Sequence, residues 1–153
     1  MREISSKEIT EKVKGLCLSA AFNLGKDVTS ALACAVESEE SPLGKEVLAQ
    51  IIENFEIASA EEVPMCQDTG LAIFFVEVGR EVVIDGLLDD AINEGVRQGY
   101  EKGYLRKSVC DPVTRENTGD NTPAIIHTSI VEGDKVRIML AAKGGGSENM
   151  SGI

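Results

Sequence analysis

Tryptophan is absent, and aromatic residues make up only 4% of the 153-residue chain. Recognition by stacking on bases or sugars therefore has little to work with. Basic residues are also scarce: 15 Lys and Arg stand against 26 Asp and Glu, for a net charge of −11. Nucleic acids and anionic membrane surfaces bind to basic faces, so neither is an expected partner. A small anionic substrate is not excluded, because a few local arginines can reverse the field inside one pocket. No apolar run approaches the ~18–20 residues of a membrane span. Met1 to Glu8 has no apolar core of a signal peptide, which makes the cytoplasm the default compartment. The four cysteines, Cys17, Cys34, Cys66 and Cys110, include no Cys-x-x-Cys pair. Zinc ribbons and thioredoxin-type motifs are thereby disfavoured, and a cytoplasmic chain is not expected to form disulfides.

What is present is an ordinary globular composition, 42% apolar and 27% charged, in a length that suits one domain. Ser5 to Leu24 reads as a helix: Ser5 and Glu8 have capping-box spacing, and Ile9, Val13, Leu16, Cys17 and Ala20 form one apolar stripe. Asp27 is placed to cap a second helix running to about Glu37. Ser41 and Pro42 open a third, with proline where its missing N–H costs nothing. Cys17 and Cys34 fall in apolar helical patterns and are expected in the core. Residues 1–62 thus read as a helical layer, and 63–153 as a strand-rich part that carries the site loops. The expected fold class is α+β, a mixed helix and sheet arrangement. Leu71–Val78 is expected as a buried strand, with Val82–Ile84 as its continuation and Gly86–Lys102 as a helix. Gly95 and Gly99 inside that helix each cost about 1 kcal/mol against alanine, which points to close packing on a neighbour. Ala124–Val131 and Lys135–Ala142 are expected to pair as a hairpin across Glu132-Gly133-Asp134. The single histidine, His127, lies within the first of these strands and is read as structural.

Chemistry concentrates in the connections. Pro64-Met65-Cys66-Gln67-Asp68-Thr69-Gly70 sets a thiol, an amide, a carboxylate and a hydroxyl on one short loop before a strand. The same residues equally suit a buried cysteine in a polar turn. Thr114 to Pro123 is a long, polar loop of residues that bond their own backbone. Lys143-Gly144-Gly145-Gly146-Ser147 resembles a turn that cradles a phosphate or carboxylate, with Ser147 able to cap a following helix. It lacks the spacing of a Walker loop. The chain stops where that helix would start, so an incomplete domain is expected.

Three stretches taken in order, 64–70 (PMCQDTG), 117–124 (NTGDNTPA) and 143–151 (KGGGSENMS), resemble the N-terminal part of the α subunit of the class I iron–sulfur fumarases and the related L-tartrate dehydratases. The likeness covers nearly the whole chain and about the first half of that subunit. It implies a [4Fe–4S] cluster held by three cysteines, with one iron open to substrate. It assigns Cys66 as a cluster ligand, Gln67, Asp68 and Arg106 as contacts to a dicarboxylate, Gly146 as a backbone contact, and Asp68 as a candidate catalytic carboxylate. Cys110 is not at a ligand position of the family. The resemblance further implies a β subunit or C-terminal β domain as partner, and an oligomer. The activity implied is reversible hydration of fumarate to (S)-malate. Dehydration of L-tartrate to oxaloacetate is the alternative, and a catalytically incomplete binding or assembly module is a reading from another class, since one thiolate cannot hold such a cluster alone.

Overall fold

The computed structural model describes residues 1–146. Its elements run β1 (Arg2–Ile4), α1 (Ser6–Phe22), α2 (Lys26–Ser38), α3 (Pro42–Glu61), β2 (Leu71–Gly79), β3 (Val82–Ile84), α4 (Leu88–Lys102), β4 (Ile125–Val131) and β5 (Val136–Lys143). The fold is α+β, with two sheets and four helices among the described residues. The helix expected after Ser147 lies outside the described residues.

Two of the four described helix starts carry a side-chain cap, and those of α2 and α4 do not. Ser5 accepts a bond from Lys7 N, and Ser41 accepts one from Gly44 N with Pro42 in the first turn. Asp85, 79 residues further on, accepts the Ser6 N–H and ties β3 to the start of α1. The second helix begins one residue before Asp27. Its cap position is Gly25, without a side-chain bond, and Asp27 sits in the first turn, where a carboxylate favours the positive end of the helix.

Helix α1 turns its buried stripe (Ile9, Val13, Cys17) onto α4, and the two helices cross closely. A methyl group added to Gly95 would come within 2.6 Å of Val13 Cβ and 2.7 Å of Thr10 O, and one at Gly99 within 2.8 Å of Cys17 Cβ. The two costly helical glycines therefore serve backbone approach, as their spacing predicts. Burial pushes the Cys17 thiol up to about 12, so it behaves as a small apolar group. Helices α2 and α3 pack chiefly on each other, with α3 also touching α1. No residue of α2 is buried, and Cys34 is exposed. The core position expected for Cys34 is thus corrected: α2 packs chiefly on α3, with Leu32, Ala35 and Val36 half-buried, and Cys34 falls on the exposed side.

The main sheet has the order β4-β2-β5, with β4 parallel and β5 antiparallel to β2. The hairpin expected between β4 and β5 does not form. Instead β2 lies between them, and the 132–135 turn wraps its end: Gly79 N donates to Lys135 O, Arg80 N to Val131 O and Glu81 N to Gly133 O. The reason is hydrophobic: β2 is the most continuous apolar run, and the centre of the sheet is where such a strand is best used. Its burial is one-sided among the described residues. Ala72, Phe74 and Val76 are buried under α1 and α4, while Ile73 is half-buried and Phe75 is exposed on the opposite face. A second, two-stranded parallel sheet pairs β1 with β3; β1 is too short to leave a periodic signal in the sequence.

The α1–α4 crossing is open to test. Gly95→Ala should destabilise by about 1–3 kcal/mol through overpacking, in spite of a helix-propensity gain of about 1 kcal/mol. Gly15→Ala, on the same α1 but with no atom within 4 Å of the new methyl, should stabilise by up to about 1 kcal/mol. Urea unfolding midpoints of the two variants should move in opposite directions.

Candidate functional site

The sheet order brings three separated loops to one end. Loop 64–70 precedes β2, loop 103–124 precedes the parallel β4, and the 144–146 turn follows the antiparallel β5. All three therefore open at the same sheet edge, where Leu71 pairs with Lys143 and Ile73 with Ile125.

Gly70 is where these loops are fastened. Its φ of +71° is a left-handed conformation, and a Cβ there would lie 2.4 Å from the Lys143 carbonyl. Its carbonyl accepts from Tyr100 Oη at 3.2 Å and from Asn121 Nδ2 at 3.2 Å. Burial keeps the Tyr100 phenol protonated far above its usual range, so it remains a donor. Asn121 is wholly buried, and its Oδ1 accepts from Ser108 N at 2.6 Å and Val109 N at 3.2 Å. One amide thus joins the loop before β2 to the segment after α4. Thr69 Oγ1 adds a bond to Arg106 O at 3.0 Å. Composition alone pointed to the polarity of loop 114–123 but not to Asn121. Its left-handed φ of +63°, a conformation asparagine tolerates, is evident only in the structure.

Asp68 bridges to the glycine turn. Its Oδ1 accepts Gly70 N at 3.1 Å and its Oδ2 accepts Gly145 N at 3.0 Å. The Gly145 N–H is the strongest influence on its acidity; with Gly70, Gly146 and the charge of Arg106 it outweighs partial desolvation and holds the carboxyl below the usual carboxylate range. The Gly145 N–H of the triple-glycine turn is therefore engaged by a side chain of the chain itself.

Arg106 stands between two clefts. One, of about 560 Å³, is lined by Asp68, Leu71, Arg106, Ser108, Lys143 and the glycine turn. The other, of about 520 Å³, is lined by Pro64, Cys66, Gln67, Thr69, Tyr104 and Arg106. The structure thus sets Asp68 in the first cleft and Cys66 and Gln67 in the second, with Arg106 lining both and Gly146 beside Asp68. Cys66 and Arg106 are exposed there. Cys110 lies on the other side of loop 108–123, bridged to Asn117, and lines a different cleft with Leu71 and Ile125. His127 stacks on Phe75 with ring centres 5.2 Å apart, away from these groups. A larger cleft of about 720 Å³ lies between β1, α1 and β5, but none of the motif residues lines it. Among the described residues no group of three or more His, Cys, Asp or Glu side chains is arranged to hold a metal ion, and no helix is long and apolar enough to cross a membrane.

Comparison with known proteins places this arrangement. The model of the fumarate hydratase (Fumerase) family matches residues 10–153, and the chain belongs to that family. It is 38% identical to a Methanocaldococcus jannaschii protein provisionally named L(+)-tartrate dehydratase subunit alpha, over 95% of this chain and 54% of that one. It is also 38% identical to the anaerobic class I fumarate hydratase of Escherichia coli, over 74% of this chain and 21% of that enzyme. With the L(+)-tartrate dehydratase subunit alpha of an Escherichia coli strain it shares 29% identity over 91% of this chain and 47% of that subunit. The chain therefore spans about half the length of the tartrate dehydratase relatives and about a fifth of that fumarase.

Two outcomes follow from the hydrogen bonding. Asn121→Ala removes one of the two donors to the Gly70 carbonyl, strands the Ser108 and Val109 N–H groups and places alanine at positive φ. It should destabilise by at least about 2 kcal/mol in urea unfolding. The Asp68 carboxyl has a folded pKa below its unfolded value of about 3.9. Its stabilisation is complete above that pH and is lost as pH falls through the lower folded value. Stability measured from pH 5 downward should fall less steeply in Asp68→Asn than in the parent chain.

Proposed function

We propose that the chain is the N-terminal portion of the α unit of a hydro-lyase that reversibly adds water across fumarate to give (S)-malate. The observation that carries this reading is that one loop sets Cys66, Gln67 and Asp68 against Arg106 of the segment after α4, with Arg106 lining both adjoining clefts, in a chain of the fumarate hydratase family.

The chemistry of the donor set fits one corner of a [4Fe–4S] cluster. Cys66 is an exposed thiol at a cleft mouth, the kind of ligand such clusters take, while two further thiolates have to come from outside this set. When bound, the cluster would supply a Lewis-acidic iron for the oxygen that is added or removed. Arg106 would hold one substrate carboxylate by paired, charge-assisted hydrogen bonds, for which its planar fork is suited. Gln67, beside Cys66, would orient the same substrate through its amide. Asp68, ionised and tied to the Gly145 N–H, would set the glycine turn and orient water. It is also the candidate carboxylate for the proton step at the carbon beside a substrate carboxylate. Gly146 would offer backbone contact at the rim.

A second reading, dehydration of L-tartrate to oxaloacetate, draws on the match to the Methanocaldococcus jannaschii protein, which covers more of this chain than the fumarase matches do. In both readings the working enzyme is an oligomer with a β subunit or β domain, as the naming of those relatives as α subunits suggests. The remaining reading from the sequence, a binding or assembly module, is what failure of the following test would favour.

The test is anaerobic iron–sulfur reconstitution of the chain together with the rest of an α unit and a β subunit, followed by assays on fumarate and on L-tartrate. Activity on one of them identifies the substrate. In that assembly Cys66→Ser should abolish the cluster's visible absorbance, and an unchanged spectrum would refute the ligand assignment. Arg106→Lys should lower kcat/KM at least tenfold, about 1.4 kcal/mol; parental kinetics would refute its substrate role.

A further inference from the structure

The face of the main sheet opposite α1 and α4 is bare. It carries Ile73, Phe75, Ile125, His127, Met139 and Ala141, which the strand register sets side by side across β4, β2 and β5. Phe75 is 47% exposed and Met139 59%, high values for apolar side chains at the middle of a sheet. The polarity of the face is graded. At the end away from the site it closes with the cross-strand pair Arg137–Glu77 at 2.8 Å. At the site end it stays apolar and runs into the cleft of Leu71, Val109, Pro123 and Ile125. The outer edges of β4 and β5 are also unpaired among the described residues.

We propose that this bare face is the docking surface for the remainder of the α unit, the part of the family's chain that the present residues do not match. The inference rests on the functional reading above and adds where the missing half sits. The tartrate dehydratase relatives are about twice as long as the stretch matched here, which leaves a half-unit of comparable size to be placed. The face runs into a cleft that shares Leu71 and Ser108 with the cleft of Asp68 and Arg106, so a layer seated on it comes up to the site, where further cluster ligands are required. A second copy is the poorer occupant: each chain carries a net charge of −11, which opposes bringing two of them face to face.

Met139 provides a native probe, because thioether oxidation follows exposure. The chain would be compared alone and joined, in a single polypeptide, to the unmatched part of the Methanocaldococcus jannaschii relative in that relative's order. Peroxide oxidation would be followed by mass spectrometry, with Met1, 92% exposed, as internal standard. Met139 should oxidise roughly tenfold more slowly or less in the joined chain while Met1 is unchanged. Phe75→Glu in the joined chain should restore fast oxidation of Met139, since a charge at the centre of the face would keep it open. Equal oxidation rates in the two chains, or protection unaffected by Phe75→Glu, would overturn the proposal. Protection that arises in the short chain alone as its concentration is raised would also overturn it, by making a second copy the occupant. The readout is independent of catalysis. Catalysis is read separately, in the reconstituted assembly with a β subunit: protection of Met139 with no hydro-lyase activity in that assembly leaves the surface assigned and removes the functional reading, whereas activity there with Met139 still exposed does the reverse.

Discussion

Everything at the candidate site hangs on the passage of backbone past backbone at Gly70. A left-handed residue without a side chain lets the loop before β2 cross the end of β5 in contact with the Lys143 carbonyl. The Gly70 carbonyl then collects donors from α4, through Tyr100, and from the loop before β4, through Asn121. Its N–H holds the Asp68 carboxylate, whose other oxygen reaches Gly145. Four segments distant in sequence are thus fastened by buried or part-buried polar groups that are costly to leave unpaired. That cost is what gives loops without regular structure a definite geometry.

The scaffold beneath has the opposite character. Helices α1 and α4 approach through glycines and pack on Phe74 and Val76 of β2. One side of the sheet is in this way filled over β2, with Ile130 at the far end of β4 left open, while the other side and the α2–α3 pair keep apolar residues in solvent. The asymmetry matches a chain that spans about half of its tartrate dehydratase relatives. The site lies where the filled side ends and the bare side begins.

Periodicity made the four helices and the central strand legible, because 3.6- and 2-residue repeats are local records of a buried face. It failed where a neighbour distant in the chain decided the outcome. Asp27 looked like a cap, yet α2 starts at Lys26 under Gly25. Cys34 has a core-like setting in sequence and no core to enter. The 132–134 turn reads as a hairpin, and only competition for the central position shows that β2 displaces the direct pairing. At the site, motif order marked Cys66, Gln67, Asp68, Arg106 and Gly146. Asn121 was passed over because an asparagine in a polar loop looks the same whether it is solvated or wholly buried.

The sequence by itself determined the element types, the acidic and tryptophan-free composition, and the family, through three motifs in order. These are properties of composition, local spacing and short strings. The tertiary structure alone decided that those motifs share one end of one sheet, that Asp68 spends both oxygens on backbone N–H groups, and that half the sheet is left bare. Each of these depends on strand order and on which distant backbone arrives beside Gly70, and no local repeat encodes either.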